Sequence, residues 1–592
     1  MNKTDKALYI VFFLTTCVCI SWVYPQTIAQ LEATDYFVWN DDYLRMKIAE
    51  LPGITALLSD YLLQFFRWQG VGMTIEATVL TLTALLLADT PRRMVFSSYP
   101  ALGLALPLAS LFMALFQLEF YLQTFFMVLA IWLFFIIRKN WWKYAYLAVL
   151  CTTGLFLMPW TMMVMATLTI AIGWTIQERE SISPQTSALR HHPSYFIPGI
   201  VFVLCNIWLY FEVGMMSRLV GFTPLDRRYF YSPIEGLNPW IYASLYLVLL
   251  MMAVKPVNRL HKSVRYGIQG GILITCIAVF YLICTNPQFL REEKGWQLAA
   301  LAEKKEWKQI LNTIPKKELS TNKAYVEYAL LAEAGLGTLP DNIFNYPIIF
   351  SENLLYRSNS NAFCRNFNRQ FYENLEIFDE CFRQSYEFGI QCRNGAGFAS
   401  MRQMVKYALL TDNFPVAEKY IAKLSKSTTH KSWARQWRQA LDSQQQRNRT
   451  QTAKPVRANT FLGAYQLGVE MKGQLEFGKQ NQSIVDYALV SFLLDCDLRN
   501  FLHVLTTYPV YSGRQLPKAY AEAVAMIIFD TGDESIRQYV SYSPQYDMQF
   551  RQFDAQYTAL QENKGAENSK INFNKTYWNY FVKASQITPS QK

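Results

Sequence analysis

Three sets of charged side chains stand where a chain this apolar seldom keeps them. Arg218, Arg227 and Arg228 crowd one connection between apolar runs, together with Asp226. A guanidinium fork donates paired hydrogen bonds to phosphate oxygens, so clustered arginines suit an anionic partner such as a lipid phosphate or pyrophosphate. Pairing with Asp226 or Glu235 is the plainer use of the same charges. Glu76 lies just inside an apolar run at 71–88. An ionisable group at membrane depth is costly and faces a cavity or a partner. Asp41 and Asp42 follow the stretch Asp35-Tyr36-Phe37-Val38-Trp39-Asn40. Read alone, they start a helix over Tyr43–Leu51, with Asn40 or Asp41 at its N-cap.

The elements that must position these residues follow from composition. Charged residues are 17% of 592 and aromatics 15%, which excludes a disordered chain. The two halves differ. Residues 1–285 carry 19 Lys/Arg and 15 Asp/Glu and include the charge-free stretches 94–118 and 144–177. A bilayer core of about 30 Å needs about 20 apolar helical residues. Nine spans are expected, at 6–25, 71–88, 99–117, 120–138, 143–158, 161–177, 195–213, 239–255 and 266–285. The fifth and sixth are short, and they form either two crossings or a re-entrant pair. With the N-terminus inside, the inner segments hold 13 Lys/Arg and the outer segments six. That bias follows the positive-inside rule. An odd count of crossings then leaves residues 286–592 outside, in the periplasm of a Gram-negative cell. The run from Ala7 to Tyr24 is long for a signal-peptide core and reads as an uncleaved anchor.

The outer loop 26–69 carries a segment with Ile54, Leu57, Leu58, Tyr61, Leu62 and Phe65 on one face. Thr55, Ser59, Gln64 and Arg67 fall on the other, as in a helix lying in the membrane interface. Residues 286–592 show helical spacing of apolar residues. Tyr-Ala-Leu recurs at Tyr328, Tyr407 and Tyr487. Ser400–Thr411, a turn at Asp412-Asn413 and a helix opened by Pro415 form a hairpin. Polar residues 443–457 read as a linker between two lobes, 286–442 and 458–592, and the aromatic tail Tyr577–Phe581 is expected to dock. Cys364, Cys381, Cys392 and Cys496 lie in this half, where an oxidising compartment permits disulfides whose pairing stays open, with unpaired buried thiols as the alternative. Cys17, Cys19, Cys151, Cys205, Cys276 and Cys284 sit in spans and read as packing residues. The five histidines form no ligand spacing, so no metal site is expected. The net charge of +11 is not gathered into a stripe, so nucleic-acid binding is not expected.

The expected fold is all-α: a polytopic bundle over 1–285, then an extracytoplasmic domain of helical hairpins. The hairpins resemble tetratricopeptide repeats in degenerate form. The loop acidic pair, the interfacial helix and the later basic loop resemble the C superfamily of membrane glycosyltransferases. That resemblance implies that Asp41 or Asp42 is a general base or holds a divalent cation. It also implies that Arg227 and Arg228 balance a departing polyprenyl phosphate. Thr34-Asp35-Tyr36-Phe37, Leu51-Pro52-Gly53-Ile54 and Phe414–Tyr420 resemble an uncharacterised polytopic inner-membrane family of Gram-negative bacteria, a domain of unknown function. It implies architecture and location without an activity. Two readings result. One is a membrane-anchored envelope scaffold binding a protein or peptide on its hairpins. The other is a lipid-linked-sugar glycosyltransferase at the periplasmic face. No cofactor is evident, and a divalent cation enters only with the second reading.

Overall fold

The computed structural model describes residues 3–49, 53–93, 100–113, 117–137, 140–157, 262–356, 361–392, 394–450, 466–477, 481–562 and 573–586. Its regular structure is helical throughout, with one isolated bridge between Gln515 and Ser541. The chain forms two compact units. The first is Met1–Glu293 with Gly397–Ala399 and Ala422–Arg435, and the second is Lys294–Ala396, Ser400–Ile421 and Gln436–Lys592.

The first unit contains helices α1 (Lys3–Val23), α2 (Pro25–Ala33), α3 (Asp41–Ala49), α4 (Gly53–Leu63), α5 (Gln69–Arg93), α6 (Ala105–Met113), α7 (Leu118–Ile136), α8 (Asn140–Leu157) and α9 (Lys262–Thr285). Among the described residues, four helical stretches are long and apolar enough to cross a membrane: Asp5–Val23, Gln69–Thr90, Leu118–Ile136 and Tyr266–Thr285. They match the first, second, fourth and ninth expected spans. The third expected span, 99–117, is not one long helix. It is a 3-10 turn, Pro100–Leu104, followed by α6. Pro107 fits in the first turn of α6 because no intrahelical bond needs its N–H. The described helical stretch, 100–113, rises about 23 Å, short of a bilayer core. Helix α8 covers most of the fifth expected span. The sixth, seventh and eighth lie outside the described residues.

Helix α5 packs against both α1 and α7 through Ile20, Leu80, Ala84, Leu87, Leu122 and Phe134. Polar groups share that interior. Thr83, Thr90, Ser110 and Thr124 are buried, and each hydroxyl donates to the carbonyl one turn back at 2.8–2.9 Å. Gln123 Nε2 donates to Glu119 Oε1 at 3.0 Å, and Trp132 Nε1 to Asp89 Oδ2 at 2.9 Å. The outward faces are apolar. Ile10, Val11, Leu14 and Val18 on α1 and Ile274, Ile277 and Leu282 on α9 are exposed.

One recurring turn builds much of the second unit. Lys305, Gly337, Glu376, Asp412 and Cys496 all have left-handed backbone, with φ from 51 to 73°. In each case the next residue's N–H reaches back five residues. Glu306 binds Leu301 O, Thr338 binds Glu333 O, Ile377 binds Tyr372 O, Asn413 binds Ala408 O and Asp497 binds Phe492 O, all within 3.0 Å. This bond satisfies a carbonyl that the ending helix leaves free. A new helix starts within two residues, at Trp307, Leu339, Phe378, Phe414 and Leu498. Gly337 takes this conformation without the Cβ clash that the other four tolerate. The first four turns follow one another at 32, 39 and 36 residues. The Tyr-Ala-Leu repeat is not the structural repeat: Tyr328, Tyr407 and Tyr487 stand 9, 5 and 9 residues before their turns.

The expected linker begins later than the composition suggests. Ser443–Thr450 are the last turns of the helix Lys431–Thr450, and Gln444 Nε2 donates to Leu409 O at 2.9 Å. Residues 451–457 lie outside the described residues. The two expected lobes share one core. Phe371 and Tyr487 have ring centroids 4.6 Å apart, and the Tyr372 hydroxyl donates to Glu470 Oε1 at 2.8 Å. The aromatic tail packs into that core, with buried Trp578 donating from Nε1 to Glu522 O at 2.7 Å. Arg369 is buried and bonded to Glu303, Glu373 and Tyr407.

Buried carboxylates give this unit a pH signature. Burial raises Glu327 to about 8, Asp486 to about 6 and Glu522 to about 7. Each folded pKa lies above the ordinary value, so the folded chain holds protons that the unfolded chain releases. Their contribution is complete below about pH 4 and is lost as pH rises through 6 to 8. Glu303 and Glu373 act oppositely. Burial opposes their charge, but the Arg369 guanidinium holds both below the usual carboxylate value. Their stabilisation is lost as pH falls below about 4.5. Thermal unfolding of the detergent-solubilised protein should therefore give a midpoint that falls between pH 5 and pH 9. Glu327→Gln should flatten that fall, and a midpoint rising over the same range would contradict this assignment.

Candidate functional site

The densest cluster of buried charge in the first unit lies in the loop between α1 and α5. Pro25 opens α2 at the position where its missing N–H costs nothing. The Glu293 carboxylate then accepts Gln26 N–H and Thr27 N–H, both at 2.8 Å, and the Thr27 hydroxyl at 2.7 Å. A carboxylate there satisfies free N–H groups and faces the positive end of the helix dipole. Burial raises the Glu293 pKa against those bonds.

An irregular stretch, Asp35–Asn40, leads from α2 to α3. Asp41 and Asp42 occupy the first turn of α3, and both are exposed. That placement again suits carboxylates to a helix dipole. Arg218, Arg227 and Arg228 lie outside the described residues. Glu76 is fully buried on α5, within the apolar stretch Gln69–Thr90.

The buried charges of the loop are others. Lys47 Nζ lies 3.0 Å from Asp60 Oδ2, and both side chains are buried. The Tyr43 hydroxyl is 2.8 Å from the same oxygen and 2.9 Å from Tyr36 O. Burial, then the neighbouring Asp60, pushes the Tyr43 phenol far above its usual value, so it stays a donor. Asp35 Oδ1 accepts Tyr36 N–H at 2.7 Å. Glu32 Oε1 lies 2.9 Å from His430 Nε2, and the fully buried His430 ring stacks on Phe398 at 4.0 Å.

His430 and Phe398 belong to the two later segments, Gly397–Ala399 and Ala422–Arg435, which complete this unit. Phe398 N–H donates to Asp35 O at 2.9 Å, and Trp39 N–H to Lys426 O at 3.0 Å. Lys426 Nζ donates to Asn40 Oδ1 at 2.9 Å, and Lys423 Nζ lies 4.4 Å from the Tyr36 ring centre. Gly397 is required at this junction. A Cβ there would run into the backbone of Ala33 and Thr34. The loop is thus held on one side by residues almost 400 positions away in sequence.

Helix α4 reverses the burial usual for a soluble amphipathic helix. Its polar residues Thr55, Ser59 and Asp60 are fully buried, as is Gln64 just beyond it. Ile54 is 42% exposed, and Leu57, Leu58, Tyr61, Leu62 and Phe65 are half-buried. Trp39, Tyr61, Phe65 and Trp68 make a row of rings with successive centroids 5.9, 5.5 and 6.4 Å apart, and both tryptophans are exposed. Sequence reasoning missed Asp60 and Lys47. The signal was Asp60 itself, the one charge in the helix Gly53–Leu63, at the centre of its polar stripe.

A buried pair of opposite charge with a neutral phenol donor is suited to holding structure. Among the described residues, no group of three or more His, Cys, Asp or Glu is placed to hold a metal ion. Removing one member of a buried pair leaves the other uncompensated, at a cost of about 3–5 kcal/mol. Lys47→Met should therefore destabilise the protein more than Lys47→Met combined with Asp60→Leu, measured by denaturant unfolding in detergent. Equal losses would mean that the pair does not hold the loop.

No curated protein and no solved structure matches the chain. A family model does match, over residues 2–584, under the description "Family of unknown function (DUF6057)". With the match running over almost the whole sequence, the chain belongs to the family of unknown function DUF6057.

Proposed function

We propose that this protein is a multi-pass protein of a bacterial inner membrane. Its N-terminus is cytoplasmic, and its second unit serves on the periplasmic side as a helical-hairpin scaffold for a protein or peptide partner. The observation that carries the membrane part is the reversed burial of the first unit. Thr16, Thr55, Asp60 and Glu76 are fully buried, while Ile10, Leu14, Ile54 and Ile274 face outward. Water would penalise that arrangement, and hydrocarbon favours it. The Lys/Arg bias of 13 inner against six outer residues supports the orientation.

The scaffold part is supported by the five-fold recurrence of one hairpin turn. Stacked helical hairpins present extended surfaces to partners. A lipid-linked-sugar transferase is the second reading, with Asp41 or Asp42 as base. The exposure of both aspartates weighs against it, since a general base must lie against the proton it removes, in a site that excludes water. The buried carboxylates of the loop, Glu32, Asp35 and Asp60, are already engaged by His430, the Tyr36 N–H and Lys47.

Protease added to spheroplasts, followed by carbonate washing of the membranes, tests the reading. The protein should stay in the carbonate-washed membrane. Protease added from outside should remove epitopes beyond residue 450 while leaving an N-terminal tag intact. Protection of the C-terminal epitope until the cells are lysed would overturn the orientation. Release by carbonate would overturn membrane integration.

A further inference from the structure

The ends of α1 and α9 meet at two side chains that sequence reading assigned to packing. Cys19 Sγ and Cys284 Sγ lie 3.0 Å apart, joining positions 265 residues apart in sequence. Unbonded heavy atoms rest at about 3.5–4.0 Å, and a disulfide needs about 2.05 Å. The sulfurs are therefore already closer than packing requires and about 1 Å from bonding distance. The backbone holds them there. The Tyr24 hydroxyl donates to the carbonyl of Ile283, the residue before Cys284. Beyond the helix end, Glu293 fastens the first turn of α2 through three hydrogen bonds. Cys19 is buried and Cys284 is half-buried, so an approaching reagent reaches Cys284 first.

We propose that Cys19 and Cys284 are a disulfide-forming pair that staples α1 to α9. The proposal rests on the orientation given above, which puts the C-terminal ends of both helices at the periplasmic face. That compartment is kept oxidising. The oxidant is a disulfide-carrying oxidoreductase of the thiol-exchange class. The Cys284 thiolate attacks the carrier disulfide, forming a mixed disulfide and releasing one carrier thiolate. The Cys19 thiolate then attacks the Cys284 sulfur, forming the Cys19–Cys284 bond and releasing the second carrier thiolate. The two cysteines lose two protons and two electrons, and the carrier disulfide gains both as a dithiol. Helix α9 packs on α6 and on the 3-10 turn before it, with Ile274, Ile277, Tyr281 and Leu282 exposed on its other side, and the staple ties its last turn covalently to α1.

Differential alkylation of the full-length protein in its own cells tests this. Cells are denatured with light N-ethylmaleimide and no reductant. The protein is then reduced, tagged with heavy N-ethylmaleimide and read by mass spectrometry. Cys19 and Cys284 should carry the heavy tag in most molecules, while Cys17 and Cys276 carry the light one. Cys19→Ser should turn Cys284 light, and Cys284→Ser should turn Cys19 light. Light tag on both cysteines of the wild-type protein would overturn the staple, whatever the variants do. Carbonate washing of the same cells separates the two ideas. A protein retained in the membrane with both cysteines light refutes the staple alone. A protein released by carbonate refutes the membrane reading beneath it.

Discussion

Polar side chains buried within an apolar-faced bundle are the constraint from which the rest of the first unit follows. Buried hydroxyls and amides there bond to carbonyls or to carboxylates, as Thr83, Ser110 and Gln123 do. The same rule explains α4, where Asp60 faces the protein and Ile54 faces out. An inward Asp60 needs a counter-charge, which fixes where α3 must present Lys47. With α3 fixed, the stretch Asp35–Asn40 before it is held in place, and its backbone bonds to Phe398 and Lys426, more than 350 residues further along the chain.

The second unit obeys the opposite rule and is built like a water-soluble protein. Its core is aromatic and aliphatic, with Arg369 buried between Glu303 and Glu373 and the carboxyls of Glu327, Asp486 and Glu522 buried elsewhere in it. Its regularity lies in how helices end rather than in which residues fill them. Five left-handed residues of five different types make the same turn. The backbone bond that reaches back five residues, not side-chain identity, defines the repeat.

That distinction explains what was legible in the sequence. Long uncharged runs announce helices by length and hydropathy alone, so four expected spans coincide with long helices. The hairpin at Asp412-Asn413 was legible because Pro415 marks a helix start. The repeat period was not, because tripeptide similarity tracks buried tyrosines that sit at different distances from their turns. The polar tract at 443–450 looked like a linker, yet Gln and Arg are good helix formers and Gln444 is tied to Leu409. In the loop, the two faces of α4 were readable, but which one is buried depends on the surrounding solvent, and periodicity carries no information about that. The Glu32–His430 contact spans almost the whole first unit in sequence, and no local pattern announces it.

Under the proposed membrane reading, lipid rather than water or another protein surface covers the outward faces of the first unit. A bilayer-partitioning diazirine, photolysed in native membranes and mapped by mass spectrometry, reads that directly. Carbene insertion should concentrate on Ile10, Leu14, Ile54, Ile274 and Ile277 and spare Thr16, Thr55, Thr83 and Gln123. Insertion no greater there than at Phe477, Phe529 and Met548, which are exposed on the second unit, would contradict it.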